Sequence, residues 1–309
     1  GMDTGVNYIF YVGGYSDPTA NRQATLINSG DWSLTTPTGY LALNTTNIAA
    51  RTSRTASDTN KYFQTVLYEG NGAIQRVGNF QPFTDSFTIA KCALFNADNE
   101  EYFTRTFASP TDQDVWSLSW WMKTGNLGVT PRGIIGGATS NKDLIYVTTT
   151  ALYIAFNGVV EYQIDVDDPA SFHHYYLTNN SGTLTFYIDG NSQGTATATQ
   201  LDFNSAVTHT LGSYNGDANW FDGYMSEVVF VDGTVVASSA FGQTDTSSGR
   251  WVPKNPLTTL SSSGDFGNNG FYLDFSNSGD LGEDDSGNNH DWTNNDTVTQ
   301  VTDSPTTNY

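Results

Sequence analysis

Only one cysteine, Cys92, occurs in 309 residues, so no intrachain disulfide can staple the fold. Lys and Arg together number 12 against 32 Asp and Glu, a formal charge of −20. So anionic a chain repels phosphate backbones and anionic membrane surfaces, which argues against nucleic-acid binding and membrane association. Glutamate is scarce as well, with 6 Glu against 26 Asp. Glu suits helix interiors and Asp suits turns and caps, so this balance speaks against a helical protein. No apolar run approaches the roughly 18 residues of a membrane-spanning helix, and no cleavable leader is visible at the start. Nucleophile elbows, phosphate loops and zinc-ligand spacings are missing too.

What is present points the other way from disorder: 18 Phe, 17 Tyr and 7 Trp, a load of rings that disordered chains lack. Together with abundant Thr, Asn and Gly, it reads as an all-β protein. The length allows one large or two moderate domains. Cys92 lies in the run "IAKCALF", where a buried thiol is expected. The stretch Phe172–Gly190, "FHHYYLTNNSGTLTFYIDG", organises the chain. Two apolar-rich runs flank Asn-Asn-Ser-Gly, a hairpin signal, and Asp189-Gly190 supplies the next turn. In the second run Leu184, Phe186 and Ile188 share one face. In "VWSLSWWMKT", Trp116, Leu118, Trp120 and Met122 alternate onto a core face, with Trp121 on the other side. Cover of Trp121 by the N-terminal region is expected. Further strand-like runs follow at intervals of about ten residues, the rhythm of a β-sandwich.

These runs, from about residue 93 to 245, resemble the laminin-G-like, concanavalin A-like sandwich domains. The resemblance is carried by "VWSLSWWMKT", by the 172–190 hairpin and by "HTLGSYNGDANWFDGYMSEVVFVDGTVV" at 209–236, in the order those domains show. It implies an antiparallel jelly-roll sandwich over 93–250. Residues 1–92 are expected to form a β-rich region, with a loop or linker at 49–61 and a hairpin at 62–80. Residues 251–309 are read as a C-terminal extension that packs back on the sandwich, because about 60 residues cannot build a second one. Three stretches, "GDWSLTTPTGYLALNTTNI" (30–48), "YFQTVLYEGNGAIQRVGNF" (62–80) and "GFYLDFSNSGDLGEDDSGNNHDWT" (270–293), resemble segments of bacteriophage tail-fibre and other virion proteins.

Candidate sites follow from side-chain chemistry. Flat aromatics stack on sugar C–H faces while planar polar groups satisfy hydroxyls, so "SYNGDANWFDGY" offers Tyr214, Asn215, Asp217, Asn219, Trp220 and Tyr224 as a glycan loop. Asp and Asn oxygens on loops suit calcium, as some laminin-G-like domains hold it. "DDSGNNHD" supplies Asp284, Asp285, Asn288 and Asp291, and a second candidate is Asp217, Asn219 and Asp222. Asx turns account for both without metal. Glu161, Asp165 and Asp167 share a strand face opposite Val160, Tyr162, Ile164 and Val166. Asp165 and Asp167 thus give a carboxylate pair for a hydrolase, against the plainer reading of a solvated face. His173 and His174 point to opposite sides of a strand, which spoils chelation and suggests structural roles.

The family resemblance implies a non-enzymatic virion surface protein, extracellular, that adheres to host or environmental glycans beside other virion proteins and as a homo-oligomer. A structural or decoration subunit of a capsid or filament stands as the alternative, and a polysaccharide hydrolase as a third.

Overall fold

The computed structural model describes residues 87–306 except 126–130, 138–142, 149–150, 157–158, 166–167, 169–170, 199–202, 215, 217 and 246–248, together with two earlier strands. The chain divides into two compact units, Gly1–Asn79 and Phe80–Tyr309. In the first, β1 (Thr65–Glu69) and β2 (Ala73–Val77) pair antiparallel, with Glu69 opposite Ala73. The loop expected at 49–61 lies outside the described residues.

The second unit is a sandwich of two antiparallel sheets. Its strands are β3 (Cys92–Phe95), β4 (Tyr102–Thr106), β5 (Val115–Thr124), β6 (Arg132–Gly137), β7 (Asp143–Val147) and β8 (Ala151–Phe156). Then come β9 (Val159–Asp165), β10 (His173–Asn180), β11 (Thr183–Ile188), β12 (Asn191–Thr197), β13 (Thr208–Leu211) and β14 (Gly223–Asp232). The last five are β15 (Gly242–Thr244), β16 (Trp251–Pro253), β17 (Phe271–Leu273), β18 (Thr293–Asn295) and β19 (Thr299–Val301). The first sheet runs β12-β11-β10-β5-β14-β3-β19, with β17 also on β14, and the second runs β18-β4-β13-β6-β7-β8-β9. No α-helix occurs among the described residues; the helical turns are three-residue 3-10 pieces.

The turns are set by local chemistry. Ser181 and Gly182 have φ of 52° and 86°, and Asp189 and Gly190 have 49° and 74°. Two consecutive left-handed residues make the hairpin turn whose twist matches that of the strands. They fix the register of β10, β11 and β12, so that Leu184 and Phe186 are buried and Ile188 packs against the core. Trp116, Leu118, Trp120 and Met122 point inward from β5, at most 1% exposed. On the partner sheet Ile145, Val147, Leu152, Ile154 and Ile164 close the same core.

One departure from strict alternation lies on β9. Ile164 is buried, but Val160 is 48% exposed. The β8–β9 register slips between Ile154 and Ala155, and a bulge of this kind turns the residues beyond it out of step. A second apolar cluster covers the outside of the first sheet, where Tyr176, Val229, Val231 and Tyr272 meet Ala240, Phe241, Leu260 and Phe266. The segment 236–266 therefore buries part of that face, whereas the second sheet presents tyrosines outward.

Candidate functional site

The outward tyrosines arise from the same alternation that fills the core. In β7 and β8 the residues between the buried Ile145 and Val147, and between Leu152 and Ile154, are Tyr146 and Tyr153. The two are register partners, and their rings stack nearly parallel, 4.9 Å apart at 7°. Tyr214 joins them from the loop after β13, its ring centre 6.4 Å from that of Tyr146 at 59°. Burial, with Tyr214 and Tyr153 close by, raises the Tyr146 pKa above its ordinary value. The phenol stays protonated at neutral pH and offers a hydrogen-bond donor beside an apolar ring.

The loop is held to the sheet by its backbone. Tyr214 N–H donates to Ala218 O at 3.2 Å, Gly133 N–H to Asn219 O at 2.8 Å, and Arg132 Nη1 to Trp220 O at 3.0 Å. Gly133 is required there, because a Cβ would sit 2.3 to 2.5 Å from the Ser213–Tyr214 peptide. Asn219 takes φ 54°, a conformation Asn tolerates better than most residues. Asn215 and Asp217 lie outside the described residues.

Tyr224 departs from the expected grouping. It belongs to β14 in the first sheet, opposite Lys123, whose ammonium lies 4.3 Å from its ring centre and 5.0 Å from that of Phe172. Met225 turns into the core, so alternation turns Tyr224 to the outside of the first sheet, whereas Tyr214 rides on the second. Sequence reasoning passed over Tyr146 and Tyr153. Their signal was available: in "LIYV" and "ALYIAF" each tyrosine sits out of step with its core neighbours.

The proposed calcium loop is organised by its own hydrogen bonds. Asp284 Oδ1 accepts from the N–H groups of Tyr272 (2.8 Å) and Ser286 (2.9 Å), and Oδ2 from Ser286 Oγ and His290 N–H, both at 2.8 Å. Asp291 Oδ1 accepts from Asp284 N–H at 3.0 Å, and Asn288 Nδ2 donates to the carbonyls of Gly267 and Gly270. Four donors use the lone pairs that a cation would need. Asp285 stands apart from them on the exposed side of the loop, where partial desolvation and then the neighbouring Asp274 push its pKa up to about 7. Among the described residues no group of three or more His, Cys, Asp or Glu could hold a metal ion. Asp222, from the second calcium candidate, is half-buried with its carbonyl bonded to Gly125 N–H.

The remaining candidates divide between the two sheets. Asp165 shares the outward face of β9 with Gln163, the register partner of Tyr153. Glu161 is the extra residue of the bulge and drops out of the expected alternation, and Asp167 lies outside the described residues. His173 donates from Nδ1 to Asp189 Oδ2 at 2.6 Å and from Nε2 to Asp168 O at 3.0 Å. Both partners are acceptors, so the ring carries two protons, and the Asp189 bond raises its pKa. His174 is the opposite case. Trp251 Nε1–H donates to its Nδ1 at 3.0 Å, which leaves Nε2–H for Ser119 Oγ at 2.9 Å. Burial pushes its pKa down to about 3, so it is neutral. Trp121 is only 4% exposed, its ring 5.2 Å from that of His174. It shares a cleft of about 830 Å³ with Trp251 and Pro305, while most of the N-terminal region expected to cover it lies outside the described residues.

Comparison with known proteins agrees with this architecture. Residues 98–239 match the family model of the concanavalin A-like lectin/glucanases superfamily. No curated protein matches the chain. Among solved structures, a Bacteroides ovatus protein assigned to carbohydrate binding aligns at 16% identity and a TM-score of 0.50, over 74% of this chain and 66% of that one. A heptameric SAP-like pentraxin from Limulus polyphemus aligns at 14% identity, over 72% and 100%, with a TM-score of 0.42. Domain 4 of an extracellular arabinanase from Geobacillus stearothermophilus, in complex with arabinotriose, aligns at 19% identity, over 53% and 81%, with a TM-score of 0.39.

Proposed function

We propose that the sandwich is a non-enzymatic glycan-binding module of a virion surface protein, with the outer face of the second sheet as its binding surface. The observation that carries the glycan reading is the row Tyr153–Tyr146–Tyr214: three half-buried rings held on an outward face, two of them stacked. A ring held rigid by its neighbours loses little entropy when a sugar stacks on it, and its hydroxyl meets the sugar's own. The concanavalin A-like match over 98–239 supports the reading at the level of fold. The virion context rests on the stretches at 30–48, 62–80 and 270–293, with a homo-oligomer and other virion proteins as partners.

Tyr153→Ala and Tyr146→Ala are expected to weaken glycan binding roughly tenfold each while the protein stays folded, because both rings lie outside the core. Binding to immobilised polysaccharides, with circular dichroism as the control for folding, checks this. Unchanged binding in both variants, or release of reducing sugar by the unaltered protein, would end the reading. The purified chain is also expected to compete with particle adsorption to host cells, and failure to compete would remove the virion context alone.

A further inference from the structure

The ring geometry of the tyrosine row leaves one face for a ligand, and the groups around that face select the ligand's charge. One face of Tyr146 is taken by Tyr153, stacked at 4.9 Å. Its other side looks toward β6, where the Ser213–Tyr214 backbone fills the space above Gly133 and the Tyr214 ring stands 6.4 Å away. The second face of Tyr153 is turned toward β9, above its register partner Gln163. Alternation puts Asp165 on the same outward side, two residues along from Gln163. Asp165 is exposed and lies opposite Ala151, a residue too small to screen it.

The described positions of this face carry no Lys or Arg. Arg132 is the register partner of the buried Val147 and turns toward Trp220, and Arg105 lies inward, 4.9 Å from the ring centre of Phe107. An ionised carboxylate only accepts hydrogen bonds, whereas the Gln163 amide both donates and accepts. An anionic sugar brought onto Tyr153 would meet like charge and leave acceptors facing acceptors.

Granted the glycan reading above, we infer that Tyr153, Gln163 and Asp165 form a subsite for neutral or amino-bearing saccharides. The sugar stacks on the free face of Tyr153 while Gln163 and Asp165 take its hydroxyl or ammonium hydrogens. Uronate, sialylated and sulfated glycans are rejected.

Retention of the full chain on gels of laminarin, galactomannan, chitosan, hyaluronate and heparin, at low and high salt, tests this. The neutral polymers and chitosan should retain the protein, and Tyr153→Ala should lower that retention about tenfold. Hyaluronate and heparin should not retain it even at high salt, where the field of the whole chain is screened and only local contacts discriminate. Asp165→Lys should cut retention on chitosan about tenfold and leave that on laminarin within about threefold. Retention by the acidic polymers that Tyr153→Ala abolishes, or chitosan retention indifferent to Asp165→Lys, overturns the inference and leaves the glycan reading standing. Retention by no polymer at all overturns both.

Discussion

At the scale of single residues, Asp232 holds more of the unit together than any exposed acid does. It ends β14 at 2% exposure, and its carboxylate accepts from Thr111 N–H (2.7 Å), Asp112 N–H (3.3 Å), Asn204 Nδ2 (2.8 Å) and Asn269 N–H (3.0 Å). Asn269 in turn bonds Ala108 through both its amide atoms and Asn204 through Nδ2. A buried charge satisfied by four donors is costly to remove, because the donors are left unpaired. Asp232→Ala is expected to destabilise the protein by roughly 3 kcal/mol, measured by urea unfolding. Asp284 plays the same part in the 284–291 loop. From sequence alone that loop looked like a cation site, because the same oxygens serve a metal or a backbone and only their neighbours decide which.

Among the elements, the C-terminal strands do the least local work. β17 pairs with β14, β18 with β4 and β19 with β3, each across more than 40 residues of sequence. Between them Trp292 enters the core, its ring 5.0 Å from Phe271 and 6.1 Å from Phe107. Gly282 lies against the Trp292 carbonyl, where a Cβ would fall 1.7 Å from the oxygen. Trp292→Ala is expected to cost roughly 3–5 kcal/mol by thermal unfolding. A chain ending at residue 268 is expected to be insoluble, since it would uncover β3, β4 and β14 together; a soluble, cooperatively folding product would refute that. The stretch 270–293 stood out in the sequence by its resemblance to segments of virion proteins. Its partners did not, because hydrogen bonds between strands so far apart leave no local trace.

The whole molecule combines acids raised in pKa with histidines lowered in theirs, and the two sets oppose each other. Glu227 sits at a register shift in β14 with φ 50°, its Oε2 accepting from Tyr272 Oη at 2.5 Å, and burial pushes its pKa up to about 8. Asp285 is raised to about 7 and His173 is raised as well. A group whose folded pKa lies above its unfolded value binds more protons when folded, so its stability is lost as pH rises through the folded pKa. His174 and His209, lowered by burial to about 3 and about 4, lose stability in the other direction, as pH falls below the ordinary histidine value. Above about pH 6.5, therefore, the acids and His173 act alone. Tm is expected to fall as pH rises from about 6.5 to about 8.5, and Glu227→Gln should flatten that fall. A Tm that climbs over this range would contradict the assignment.

Alternation in β5 and β11 determined which residues face inward, and Ser181-Gly182 and Asp189-Gly190 determined two turns, because both depend on side-chain period and backbone freedom within a few residues. The scarcity of Glu, Lys and Arg settled the all-β class for the same local reason. Tertiary structure decided what lies beside what: that Tyr214 meets Tyr146 and Tyr153 while Tyr224 joins Lys123, that Trp251 and Pro305 stand around Trp121, and that Asp284 bonds backbone. A period of two tells on which side of a strand a group points. It is silent on which distant strand comes to lie next to it, and the face proposed for binding is made of such neighbours.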